Sequence, residues 1–153
     1  MPRQSFAVEG LRQLQRALAE LPKATARNVL LRTLKAEAQP IAAAEARLAP
    51  KLTGKLAASP QVSTRLSKRQ RRLHVKQSPV EVFVGPTSHP KSVQTEFGNA
   101  RQAAQPHLRP AWDANVRGVL DGIRDRLAAE IEKARRRLAR KAQRLAAKMR
   151  AGG

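Results

Sequence analysis

Leucines at positions 11, 14, 18 and 21 recur at the spacing of one helix face, with arginine and glutamine between them. The stretch "VEGLRQLQRALAEL" therefore predicts a helix, and Pro22 either breaks it or opens the next one at its first turn. From Thr25 to about Leu48 a second run places Val29, Leu30, Leu34, Ile41, Ala44 and Leu48 on a related face. Pro40 lies inside this run, and because the helical register persists beyond it, a kink is expected rather than a break. "APKLTGKLAASP", residues 49–60, carries Pro50, Gly54 and Pro60 and reads as punctuation. Three short extended segments follow at Gln61 to Leu66, Arg72 to Lys76 and Val80 to Val84, the last alternating and β-branched. A three-stranded antiparallel meander is the simplest arrangement, with "SKRQRR" as the loop tip between the first two strands. From Pro110 a final helix begins, and Ile123, Leu127, Ile131, Leu138, Leu145 and Met149 carry its apolar spacing nearly to the end.

These elements predict an α+β fold: long N-terminal and C-terminal helices packed against a small antiparallel sheet. The length of 153 residues suits one domain, and an aromatic content of 3% means its core is built mainly from Leu, Val, Ile and Ala. Composition shifts at Lys133, after which "KARRRLARKAQRLAAKMR" holds Lys133, Arg135, Arg136, Arg137, Arg140, Lys141, Arg144, Lys148 and Arg150 and no acid. The reading is a body over residues 1–132 and a basic amphipathic helical extension over 133–153. Lys and Arg number 31 against 11 Asp and Glu, a net charge of +20. A compact body with that charge repels itself, so an anionic partner or a tail held away from the body is expected. No cysteine is present, which excludes a disulfide framework and a thiolate metal site. No apolar run reaches the roughly 20 residues that cross a bilayer. The Arg-rich N-terminus is interrupted by Glu9 and Glu20, and no apolar signal core follows, so a cytoplasmic protein is expected.

Little in the chain points to catalysis, and no cofactor is expected. His74, His89 and His107 are scattered without metal-ligand spacing. Asp121 and Asp125 share a face of the last helix, where Arg117, Arg124 or Arg126 can pair with them. "VGPTSHP" has too few glycines and no lysine for a phosphate loop. The positive signal is charge. Arg65, Lys68, Arg69, Arg71, Arg72 and Lys76 surround one loop tip, and the tail adds nine basic residues. Both clusters suit sequence-independent contact with nucleic-acid phosphates, a solvated face, or an acidic protein. A membrane surface suits the tail poorly, because it offers no Trp or Phe anchor.

The segment "VQTEFGNARQAAQPHLRPAW", Val93 to Trp112, holds two of the four aromatic residues. Its pattern predicts an extended segment ending at Glu96 and Phe97 and turning at Gly98. Phe97 is then an inward core piece, and Glu96 faces solvent or a basic partner. Pro106 and Pro110 stiffen the approach around Leu108 and Arg109, and Leu108 and Trp112 pack back.

Taken in order, "VEGL…LAELP", "ARLAPKLTGKLAAS", "VEVFVGP" and "EFGN…QPHLRPAW" resemble the tail-completion (neck, head–tail joining) proteins of long-tailed bacteriophages. The residues that carry the resemblance are Ala49, Pro50, Thr53, Gly54, Leu56 and Ser59, then Val82, Val84 and Gly85. Glu96, Phe97 and Gly98 follow, and then Pro106, Leu108, Arg109, Pro110 and Ala111. It covers about residues 8 to 132. Asn99 stands where that family has threonine, His107 stands where an aromatic is common, and the tyrosine often found before the turn is missing. The resemblance implies a non-catalytic structural virion protein: a homo-oligomeric ring, sixfold, at the connector between head and tail. Its partners would be head-completion and tail-terminator or tail-tube proteins, met during assembly in the bacterial cytoplasm. The alternative is a sequence-independent nucleic-acid-binding protein that uses its basic loop and tail.

Overall fold

A computed structural model describes residues 10–51, 53–87 and 89–151. Val8 and Glu9 of the "VEGL" motif, Leu52, Ser88 in the turn after the last expected strand, and residues 152–153 of the tail lie outside the described residues. The fold is α+β, largely helical, with a two-stranded antiparallel sheet and one long C-terminal helix. Its elements are α1 (Leu11–Ala19), α2 (Lys23–Glu37), α3 (Gln39–Leu48), β1 (Pro60–Ser63), α4 (Lys68–Leu73), β2 (Phe83–Pro86), α5 (Ser92–Phe97) and α6 (Leu108–Ala151).

Pro22 opens α2, its carbonyl accepting the Ala26 N–H at 2.9 Å. Between α2 and α3 stands only Ala38, whose dihedrals (φ −80°, ψ −14°) remain right-handed helical. Pro40 therefore falls in the first turn of α3, where a missing N–H costs least. The α2–α3 run lies antiparallel to α6. Its register is marked by Arg32 against Glu130 (3.0 Å), Glu37 against Arg126, and Glu45 against His107 (3.1 Å). One core cluster joins Leu21, Val29, Leu127, Ile131 and Ala134, with Leu14, Leu18, Leu30 and Leu138 packed at its margin. Buried aliphatic side chains of this kind contribute about 1.5–3 kcal/mol each. Toward the other end of α6, Ile41, Ala42 and Ala44 of α3 and Ala111 and Val116 of α6 are buried. Small side chains here let the two helices run close together.

Three expectations are corrected. The meander has two strands, not three: β1 pairs with β2 in the register Pro60↔Pro86 to Ser63↔Phe83. The segment expected to hold the loop tip and the start of a middle strand forms α4 instead. Ser67 caps it, its hydroxyl accepting the Gln70 N–H while the Gln70 side chain accepts the Ser67 N–H. That reciprocal cap satisfies two otherwise orphaned donors and favours a helical turn over a strand. Third, the body does not end at Glu132. α6 runs unbroken through Lys133, Ala134 is buried, Leu138 packs on the core, and Arg135 reaches Glu20 on the segment after α1 (2.6 Å). Beyond Leu138 every described side chain is exposed. No helix among the described residues is long and apolar enough to cross a membrane.

Candidate interface groove at the head of the long helix

The segment expected to be extended before Gly98 is the helix α5. Gly98 ends it with φ at 74°, its N–H returning to Gln94 O at 2.8 Å. A Cβ at this position would stand 2.8 Å from the Ala104 backbone nitrogen, so only glycine fits both the dihedral and the space. The chain then folds back on α5, and Gln105 N donates to Thr95 O at 2.7 Å. This return brings the first residues of α6 onto Glu96. Its carboxylate accepts the backbone N–H groups of His107 (2.7 Å), Leu108 (3.0 Å) and Arg109 (3.0 Å).

Glu96 is thus a remote cap for a helix that opens eleven to thirteen residues later. It neutralises orphaned donors at the positive end of the helix dipole. Burial alone would raise the Glu96 carboxyl, but three backbone donors outweigh it and hold the pKa below its ordinary value. The expectation that Glu96 faces solvent or a basic partner is corrected accordingly.

Beneath this cap lies a group that spacing in the sequence does not reveal. His107 and Glu45, 62 positions apart, are both fully buried, with Nδ1 3.1 Å from a Glu45 oxygen. Burial, and then the charge of Glu96, push the Glu45 carboxyl up to about 7. Burial lowers His107, against the pull of Glu96. Both shifts favour the neutral forms, a protonated Glu45 beside a neutral His107, as an isolated buried charge is too costly. His107 Nε2 has no hydrogen-bond partner and stands 3.8 Å from Glu96.

His107 and Glu96 form part of the floor of a groove of about 730 Å³. It is lined by Ser63, Arg65, Ser67 and Gln70 from β1 into α4, by Phe83, Val84 and Gly85 of β2, and by Val93, Phe97, Leu108, Arg109 and Trp112 of α5 and α6. The expectation of inward aromatics is overturned. Phe97 is 65% exposed and Trp112 45% exposed, on the rim of the groove. Val93, at 66%, joins them, and the Arg109 guanidinium sits 5.8 Å from the Phe97 ring centroid. The Glu96 cap ties α5 to the start of α6, where these side chains stand exposed. Pro106 and Pro110 are exposed beside them.

The basic residues fall into two separate places. Arg65 is on the groove wall, and Lys68, Arg69, Arg71 and Arg72 are exposed on α4, with Lys76 in the segment after it. That segment is closed by Glu81, which accepts from Gln77 N (2.7 Å) and Ser78 N (3.2 Å) and meets His74 Nε2 at 2.8 Å. Leu73 and Val75 are 80% and 77% exposed there. The second cluster, Lys133 to Arg150, lies at the opposite end of α6. Lys133 stands 25 residues, about 38 Å, along α6 from Leu108, so one compact ligand does not touch both clusters. Asp121 and Asp125 pair with Arg124 at 3.7 and 2.9 Å, the ordinary solvated arrangement. No group of three or more His, Asp or Glu side chains suited to a metal ion occurs among the described residues. No family model, no curated protein and no solved structure matches the chain.

Proposed function

We propose that this chain is a structural ring subunit of the head–tail junction of a long-tailed phage, a tail-completion or neck protein. One observation carries the reading. Segments on which the resemblance rests converge on one groove with an unpaired apolar rim. Glu96 caps α6, Gly98 turns the chain where no side chain fits, and Leu108 lies against Gly85 of β2. The "TGKLAAS" segment leads into β1, and Ser59 O at its end accepts both Thr87 N (3.0 Å) and Thr87 Oγ1 (3.1 Å). The result is a stiff elbow presenting Val93, Phe97 and Trp112 to a neighbour. A ring requires that geometry, because a heterologous contact closes only at one angle. In this reading the copies assemble sixfold within the virion, between head-completion proteins and tail-terminator or tail-tube proteins, and no chemistry is performed.

Sedimentation velocity with negative-stain imaging tests the proposal. The wild-type chain should form closed rings as concentration rises, and Phe97→Asp combined with Trp112→Asp should leave folded monomers. A wild-type chain that stays monomeric at every concentration, alone and with head-completion proteins, would sink the reading.

A further inference from the structure

We propose that the C-terminal stretch of α6 is a binding strip for the phosphodiester backbone of double-helical nucleic acid. This does not depend on ring assembly. From Arg136 onward the helix carries seven basic residues and no acid, and no carboxylate among the described residues pairs with those seven. On an ideal helix, Arg136, Arg137, Arg140, Lys141, Arg144 and Lys148 fall within an arc of roughly 140° along about 18 Å. Leu138, Leu145 and Met149 occupy a different face, so the charge forms one strip rather than a collar.

A solvated face does not account for this arrangement. Arg136 with Arg140, Arg137 with Lys141, Arg140 with Arg144, and Arg144 with Lys148 are like charges four apart, each unfavourable to the helix. The part beyond Leu138 lies off the body, and its length is near the limit of about 12–15 residues at which helices in water are marginal. Such a segment is stabilised as a helix by a dense counter-charge. A duplex supplies one phosphate charge per roughly 1.7 Å, so it can meet every side chain of the strip. An acidic protein fits less well. Leu145 (53% exposed) and Met149 (80% exposed) are the only large apolar side chains beyond Leu138, far short of the roughly 1,200 Å² a stable protein interface buries. Recognition is by backbone alone, since positioning contacts of Lys and Arg to phosphate carry no sequence information.

Fluorescence anisotropy on the full chain, with labelled duplexes of about 30 base pairs in DNA and RNA forms and two unrelated sequences, tests this. Both sequences should bind alike, with a slope of about −5 in log affinity against log salt for six contacts. The triple reversal Arg137→Glu, Arg140→Glu, Arg144→Glu should weaken binding at least about 100-fold and flatten the slope by roughly half, with helicity by circular dichroism retained. Reversing Lys68, Arg69 and Arg72 on α4 should change affinity by less than about threefold. A preference for DNA or RNA identifies which duplex is the natural ligand. Three results would overturn the proposal: an unchanged slope in the tail variant, loss of binding in the α4 variant instead, or polyglutamate bound more tightly than either duplex.

Discussion

At the scale of single residues, the most informative side chain is Glu96, because its job is done on a helix that starts after the intervening loop. Three backbone donors converge on it, so replacing it with alanine leaves them without a partner at a helix start that is partly buried. Glu96→Ala should lower stability by about 2–3 kcal/mol in urea unfolding, and Glu96→Gln by less, since an amide oxygen still accepts. A loss under about 0.5 kcal/mol for alanine would mean water replaces the cap freely. Glu45 makes a second prediction, about pH. Its folded pKa is raised from 4.5 to about 7, so its stabilising contribution is complete below pH 4.5 and is lost as pH rises to about 7. That is about 1.4 kcal/mol per pH unit, roughly 3 kcal/mol in all. His107 has the opposite sign: its pKa is lowered from 6.5, so its contribution is present above 6.5 and lost as pH falls. Glu45→Gln keeps the shape and removes the first slope only. Wild-type stability relative to Glu45→Gln should therefore fall between pH 4.5 and 7.5, whereas parallel curves would show that Glu45 does not titrate in this window.

At the scale of elements, what was legible in the sequence followed the periodicity of long apolar runs. Leu14, Leu18, Leu21, Val29 and Ile41 mark helix faces that do pack inward, and Leu127 and Ile131 do the same on α6. The expected middle strand is absent because the Ser67–Gln70 capping box starts a helix, while the alternation of Leu73 and Val75 with polar residues suggested a strand. Glu96 and Glu45 were not legible as partners of His107, because those contacts depend on how α5 and α3 are placed, which spacing does not encode. The change at Lys133 marks where charge becomes one-sided, but packing follows Ala134 and Leu138 a turn or two further. The placement gives a third prediction. A chain ending at Arg140 should melt within a degree or two of full length, because everything removed is exposed. A chain ending at Glu132 loses Ala134, Leu138 and the Arg135–Glu20 pair and should lose about 2 kcal/mol, several degrees in a domain of this size. Equal melting of the two truncations would place the end of the packed body at Glu132 after all.

At the scale of the whole molecule, α6 separates two surfaces of different chemistry by about 36 Å from Trp112 to Arg136, an apolar groove rim at its start and a basic strip toward its end. Exposed large apolar side chains on a monomer are ordinary singly, but Val93, Phe97 and Trp112 line the same groove, and such clusters mark contact surfaces. The groove in turn depends on the cap: if Glu96 lets go of residues 107–109, the rim loses its fixed angle while the Val29–Ile131 core is untouched. Stability and assembly should therefore respond to different substitutions. Phe97→Ala and Trp112→Ala, each removing a side chain that is about half exposed or more, should cost under about 1 kcal/mol each in denaturant unfolding of the monomer, far below the 3–5 kcal/mol of a buried aromatic. The same variants should weaken self-association at least tenfold by sedimentation equilibrium, because aromatic anchors dominate interface energy. Glu96→Ala should do both, destabilising the chain and loosening assembly. If Phe97→Ala and Trp112→Ala unfold the monomer as buried aromatics would, the rim is core. If they leave both stability and association unchanged, subunits meet through another face.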